Sequence, residues 1–236
     1  MFDTTSSGAP ASALYSASVT SRRIALPCLP SIRATPTRRQ LSAGLKRAFD
    51  IGLALVVLLI LCWAFAAIAA AVALTSSGPI FFRQRRTGLN GETFTIYKFR
   101  TMTVVEDGDA VAHARKDDAR VTRIGATLRQ TSLDELPQLI NILKGDMSFV
   151  GPRPHALAHD RYYGSLVPRY AERFRVRPGL TGLAQVCGFR GEIHSIDCMV
   201  QRVDADVEYA KHWSFREDLK IILWTIPMVL RRTNAY

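Results

Sequence analysis

The chain has 236 residues, with 31 Lys and Arg against 20 Asp and Glu and a formal net charge of +11. That length leaves room for one soluble domain of moderate size beside any long apolar run. Four scattered cysteines with no CxxC pair suggest neither a zinc site nor a disulfide framework; with no recognition helix, zinc finger or aromatic RNA-binding strand in view, the basic excess points to anionic lipid and no nucleic acid.

Residues 1–42 are rich in Ser, Thr, Ala, Pro and Arg and carry no periodicity, so they are read as a disordered basic leader with too little apolar surface to offset the entropy of ordering. Before residue 50, Arg22, Arg23, Arg33, Arg38, Arg39, Lys46 and Arg47 stand against Asp3 alone. No apolar core follows these charges until residue 51, too late for a cleaved signal. From Ile51 to Leu74 there is no charged side chain. As a helix this run reaches about 36 Å at ~1.5 Å per residue, enough for a hydrocarbon core of about 30 Å. Lys46 and Arg47 precede it and Arg83, Arg85 and Arg86 follow it, and positive charge favours the cytoplasmic side. Two such flanks predict a membrane hairpin over residues 43–78 that enters and leaves by one face, although length alone ordinarily means a plain spanning helix.

Residues 79–236 are predicted to form a cytoplasmic α/β domain, mainly helical. Ile80–Arg85 and Thr93–Phe99 read as a β-hairpin closed by Gly88-Leu89-Asn90-Gly91, whose Asn-Gly pair favours a tight turn. Residues 103–120 are polar and read as a surface loop or short helix. A helix is predicted from Ser132 through Leu136, Leu139, Ile140 and Leu143, with Gly145 as its stop. Ile196, Met199, Val200, Val203, Val207 and Ala210 describe an amphipathic helix. In the last helix Leu219, Ile222, Leu223, Ile226, Val229 and Leu230 form one apolar stripe, with Trp213 and Trp224 near basic residues as headgroup-zone anchors. A core helix fits that stripe equally well, and Pro227 should kink it or end its regular part.

The candidate chemistry sits at Ser132-Leu133-Asp134-Glu135-Leu136-Pro137. Taken alone, Ser-x-x-Glu reads as a capping box, with acidic residues complementing the helix dipole; Pro137 sits awkwardly deep for a helix capped at Ser132, so Asp134 is the other candidate cap. Yet Arg120, Arg123 and Arg129 precede the pair and Lys144 and Arg153 follow it, and cations around carboxylates offset a polyanionic substrate. Phosphoryl transfer needs a positioned nucleophile, neutralised phosphate oxygens and generally a divalent ion, so one carboxylate can attack while the other holds metal. Neighbours on an α-helix diverge by about 100°, from ~3.6 residues per turn, so only one of the two is expected behind a given face. Gly151-Pro152-Arg153-Pro154 and Arg177-Pro178-Gly179-Leu180-Thr181-Gly182 read as rigid turns, each presenting an arginine. His155 and His159 lack a third metal ligand and are assigned to structure.

Together, Lys46-Arg47-Ala48-Phe49-Asp50, Tyr97-Lys98-Phe99-Arg100-Thr101-Met102, the Ser132–Leu139 block, Lys144-Gly145-Asp146-Met147-Ser148, Gly151–Pro154 and Arg177–Gly182 resemble, in order, the bacterial sugar transferase family, the monotopic phosphoglycosyl transferases. The resemblance covers roughly residues 45–236. It implies a re-entrant membrane helix hairpin in the bacterial inner membrane, carrying a small cytoplasmic domain with interfacial helices. It also implies a two-step reaction. Asp134 matches the nucleophile that attacks the sugar-bearing phosphate of a UDP-sugar, releases UMP and holds an aspartyl-phosphosugar until undecaprenyl phosphate takes it. Glu135 matches a Mg2+ ligand and Arg129 a phosphate-contacting arginine, while Lys98, Arg100, Arg153, Arg177 and Asp206 fall on motif positions expected to bind substrate. Gly151–His159, Gly188–Glu192 and the terminal Asn234-Ala235-Tyr236 narrow the resemblance to undecaprenyl-phosphate glucose phosphotransferases of exopolysaccharide synthesis, with glucose as donor and galactose its nearest competitor. A non-catalytic scaffold on anionic inner-membrane lipids is the reading of another class, and the oligomeric state stays open, a homo-oligomer included. Cys62-Trp63 stands where the family commonly has a Ser-Pro break, and Cys187 where Asn or Ser is usual.

Overall fold

A computed structural model describes residues 36–103, 118–191 and 193–230. Most of the leader, residues 104–117 of the segment expected to be a surface loop or short helix, Glu192, and Arg231 and Arg232 with the Asn234–Tyr236 motif lie outside the described residues. Helix α1 runs Pro36–Ile60, so helical backbone already covers residues 36–42, and α2 follows at Cys62–Thr75. No single described helix is long and apolar enough to cross a membrane; Ala43–Ile60 and Cys62–Thr75 meet that length together, bent by 66°. The bend falls at Leu61, with no proline present, and backbone bonds continue around it from Leu61 N–H to the Val57 carbonyl and from Phe65 N–H to the Leu61 carbonyl.

Both ends of the bent pair are fastened to the same body. On α1, the Lys46 ammonium donates to Asp218 at 2.6 Å and to the Val150 carbonyl at 3.2 Å, while Asp50 accepts the Phe149 N–H at 3.1 Å. Arg47 donates to the carbonyls of Ile142 and Leu143. At the far end Arg100, itself buried, donates to the carbonyl and hydroxyl of Ser76 at 2.7 and 2.9 Å. The Ser76 carbonyl is one of those that a helix C-terminus leaves without an intrahelical partner. Phe65 packs at 4.9 Å from Phe99 and 5.9 Å from Phe81, ring centre to ring centre, completing that seam.

The body holds two small sheets. Strands β1 (Phe81–Thr87) and β2 (Thr93–Phe99) pair antiparallel, Phe81 opposite Phe99 and Thr87 opposite Thr93. Asn90 and Gly91 turn with φ of 55° and 83°, the positive values that make Asn-Gly the favoured hairpin pair. Helix α3 (Arg123–Gln130), capped by the Thr122 hydroxyl, leads through a 3₁₀ turn at Leu133–Glu135 into α4 (Gln138–Lys144). Strand β3 (Ser148–Val150) pairs parallel with β4 (Gly179–Thr181) across a crossover containing α5 (Leu157–Leu166). The Arg177–Gly182 block is thus part strand, not only a turn. A Cβ on Gly179 would overlap the Gly151 backbone nitrogen, so the two glycines let the chains approach this closely.

Helices α6 (Ile196–His212) and α7 (Phe215–Leu230) complete the body. The apolar positions predicted for α6 are its inner face, with Met199, Val203 and Val207 fully buried. In α7 Glu217 and Asp218 are buried together with Ile221, while Leu219, Leu223, Trp224 and Ile226 face outward. Pro227 lies inside the helix without ending it. The outward α7 face joins Leu59, Ile60, Trp63 and Leu74 of the bent pair as exposed large apolar side chains, Trp63 at 84%.

Candidate active site

Pro137 decides the local geometry. Its ring would clash with the carbonyl four residues back, at Leu133, if an α-helix began at Ser132. The chain instead takes a 3₁₀ turn, bonding Glu135 N–H to the Ser132 carbonyl and Leu136 N–H to that of Leu133, and regular helix starts only at Gln138. Ser132 sits in the left-handed region at φ 58° and caps nothing, which corrects the capping-box expectation. Its hydroxyl accepts from Arg190 at 2.7 Å. The divergence expected of neighbours on an α-helix does not apply to this 3₁₀ turn, and both acids are enclosed: Asp134 is 8% and Glu135 6% exposed.

The two carboxylates are treated very differently. Glu135 Oε1 accepts from Lys98 Nζ at 2.8 Å and from Arg153 Nη2 at 2.6 Å, and its Oε2 lies 3.3 Å from Arg153 Nη1. Among the described residues, Asp134 makes no hydrogen bond or ion pair. Burial would raise the Glu135 carboxyl, but the Arg153 and Lys98 charges outweigh it and hold the group well below its usual range. For Asp134 burial dominates, with Glu135 adding repulsion, and its pKa is raised to about 6 despite Lys98, Arg129 and Arg153. Burial also lowers the Lys98 ammonium, against the pull of Glu135.

The site therefore gathers Lys98 from β2, Arg129 from the last turn of α3, the acid pair from the 3₁₀ turn and Arg153 from the loop after β3. Arg129 Nη1 also lies 3.4 Å from Met102 Sδ. Three residues placed here from sequence are held elsewhere. Arg100 is drawn to the open carbonyls ending α2. Arg177 is exposed and donates through Nε to the Gly145 carbonyl at 2.9 Å, at the end of α4. Asp206 is buried on α6 in an ion pair with Arg173 at 2.8 Å.

Other contributors escaped the sequence reading. Asn141 ties α4 to β2, accepting from Tyr97 N–H at 3.0 Å and donating to the Thr95 carbonyl at 2.7 Å. Arg173 donates to the backbone carbonyl of Arg153, and Arg190 donates to the Ser132 hydroxyl, two residues before Asp134. Arg173 lies in no pattern that separates it from the many surface cations of a basic chain, and Arg190, though inside the Gly188–Glu192 block, carried no role there. Among the described residues no three His, Cys, Asp or Glu side chains converge to cage a metal. A carboxylate offers about four lone-pair directions, however, and among the described residues Oε2 of Glu135 accepts only from Arg153 Nη1 at 3.3 Å. That oxygen keeps a lone-pair direction for the donor role Mg2+ asks of a carboxylate when substrate phosphates and water supply the rest.

Fold and site together define a class: a small α/β body bearing a bent apolar helix pair, centred on an enclosed acid pair of which one member is neutralised and the other left unpaired. The chain belongs to the bacterial sugar transferase family, whose model matches residues 41–232. It is similar to a UDP-glucose:undecaprenyl-phosphate glucose-1-phosphate transferase of Caulobacter vibrioides, 56% identical over 168 residues, 71% of this chain and 63% of that one. The protein of that name from Escherichia coli K12 is 49% identical over 182 residues, 77% of this chain and 39% of that one. The chain thus spans less than two thirds of these relatives. By contrast, the match to the exopolysaccharide production protein PSS of Rhizobium leguminosarum bv. phaseoli, 44% identical over 196 residues, covers 81% of this chain and 98% of that protein.

Proposed function

We propose that this chain transfers glucose 1-phosphate from UDP-glucose to undecaprenyl phosphate at the cytoplasmic face of the bacterial inner membrane, the initiating step of an exopolysaccharide. The observation that carries the reading is the asymmetry of the acid pair: Glu135 is locked by Lys98 and Arg153, and Asp134 beside it is enclosed but unpaired. An unpaired carboxylate keeps its lone pairs for phosphorus, and cations at its back offset the substrate's charge. The names of the relatives support the donor and the acceptor.

In the first step an Asp134 oxygen bonds to the sugar-bearing phosphorus, and the bond from that phosphorus to the bridging oxygen breaks. UMP leaves with the oxygen and its electron pair. In the second step a phosphate oxygen of the lipid bonds to the same phosphorus and the Asp134 carboxylate is released. Lys98, Arg129 and Arg153 hold the phosphate oxygens in place while charge moves across them. Mg2+, bound through Oε2 of Glu135, would supply further neutralisation of the diphosphate.

The bent pair is read as a re-entrant hairpin. Its entrance, at Lys46, Arg47 and Asp50, and its exit, at Ser76, are bonded to one body, and a spanning helix would carry its two ends to opposite faces. The outward apolar faces of the pair and of α7 suit burial in the same leaflet, which brings a lipid phosphate to the level of the site. Assay of UMP release from UDP-glucose with undecaprenyl phosphate tests the function: wild type is expected to turn over and Asp134→Asn to be inactive. Full activity in Asp134→Asn would refute it.

A further inference from the structure

We propose that Arg173 is the positioning residue for Arg153, and through it for the grip on Glu135. The inference rests on the transfer reaction above and adds a residue that never touches substrate. The Arg173 side chain is 1% exposed. Its Nε and Nη2 both donate to Asp206 Oδ2, at 3.2 and 2.8 Å, and Nη2 donates again to the Arg153 carbonyl at 2.7 Å. Its Nη1 donates to the Tyr170 hydroxyl at 3.0 Å and lies 2.8 Å from His155 Nδ1.

An arginine can only donate, so His155 Nδ1 must accept and the imidazole is neutral, in keeping with burial and the Arg173 charge, which hold its pKa well below the ordinary value. One guanidinium therefore holds both residues that flank Pro154. Arg86 Nη1 donates to the carbonyl of Pro154 itself at 3.2 Å. Three consecutive residues, 153, 154 and 155, are each fixed from behind, and the proline fixes its own φ. From this anchored backbone the Arg153 side chain closes on Glu135. Asp206, placed among the substrate-binding residues from sequence, acts one step further back, compensating the buried charge of Arg173.

Arg173→Lys keeps the charge and loses the planar fork that reaches Asp206, Arg153 and His155 together. A misplacement of roughly 1 Å in a positioned group can reduce rate about 100-fold, so Arg173→Lys is expected to lower kcat/KM for UMP release by about tenfold or more per folded molecule. The decisive measurement is a double-mutant cycle with Arg153→Ala. If Arg173 acts through Arg153, the double variant is no slower than Arg153→Ala alone. Losses that multiply, or an Arg173→Lys protein with a lower thermal midpoint and unchanged kcat/KM, would overturn the proposal. Should Arg173→Lys not accumulate folded, Asp206→Asn enters the same cycle with the same criteria. A wild-type chain that releases no UMP from any UDP-sugar removes the transfer reading and this proposal with it; an active wild type with multiplicative losses removes this proposal alone.

Discussion

Arg153 holds Glu135 by both arms of its guanidinium, Nη2 at 2.6 Å from Oε1 and Nη1 at 3.3 Å from Oε2, with Lys98 on the shared oxygen Oε1. Removing either cation leaves an enclosed carboxylate short of compensation and strips the site of charge that the proposed reaction needs against a diphosphate. Arg153→Ala is expected to lower kcat/KM for UMP release by roughly 100-fold, and Arg153→Lys by less, because a point charge replaces a fork. Steady-state kinetics on the purified variants check both.

The raised pKa of Asp134 gives a pH dependence with a definite sign. The carboxylate is the attacking form, so UMP release should fall about tenfold per unit as pH drops below about 6. Stability runs the other way. A carboxyl whose folded pKa exceeds its unfolded value stabilises the fold below the unfolded value, near 3.8, and that contribution is lost as pH rises through about 6. Above that window Asp134→Asn, which removes the enclosed charge, should raise the thermal midpoint relative to wild type. The gain, on the order of 1–3 kcal/mol at pH 8, should shrink toward pH 4, and thermal unfolding in detergent at both pH values reads it out.

Lys46 secures the entrance of the helix pair through Asp218, a carboxylate only 2% exposed that also accepts from Tyr209 at 2.6 Å and Trp213 at 3.0 Å. Lys46→Met strands that carboxylate and should cost about 3–5 kcal/mol. The pair Lys46→Met with Asp218→Asn should cost less than the sum of the two single changes, measured by chemical denaturation.

A re-entrant pair makes its ends, but not its tip, accessible from one side. In a background without native cysteines, Ala43→Cys and Ser77→Cys in inner-membrane vesicles should react with an impermeant maleimide from the cytoplasmic face alone, and a third variant keeps Cys62 as its single cysteine. Cys62, beside the bend and exposed in the isolated fold, should resist labelling from either face until detergent is added. Labelling of positions 43 and 77 from opposite faces would mean a spanning helix.

What could be read from sequence were the features that repeat or stand side by side. The hairpin followed from β-rich runs around Asn90-Gly91, and α6 from its apolar spacing. The acid pair and its cations Lys98, Arg129 and Arg153 came through ordered motifs. The tethers were not legible, because each links residues remote in sequence: Arg173 with Arg153 and Asp206, Asn141 with Thr95 and Tyr97, Arg100 with Ser76. A buried polar residue declares itself only through its partner, so Arg100 and Asp206 passed for substrate contacts. Ser132 misled for a local reason, since a capping-box pattern cannot operate when Pro137 forbids the helix it would cap. The bend at Leu61 has no breaker residue to betray it; the bonds that fix its two ends lie elsewhere in the chain.

The central claim is that the oxygen of Asp134 bonds to phosphorus. Purified wild type incubated with UDP-glucose, without lipid acceptor, should release UMP in a burst of about one per active site and gain the mass of one hexosyl phosphate on the peptide containing Asp134; undecaprenyl phosphate should then discharge it. Turnover of both substrates with no labelled protein at any time, or a full burst from Asp134→Asn, would contradict the account.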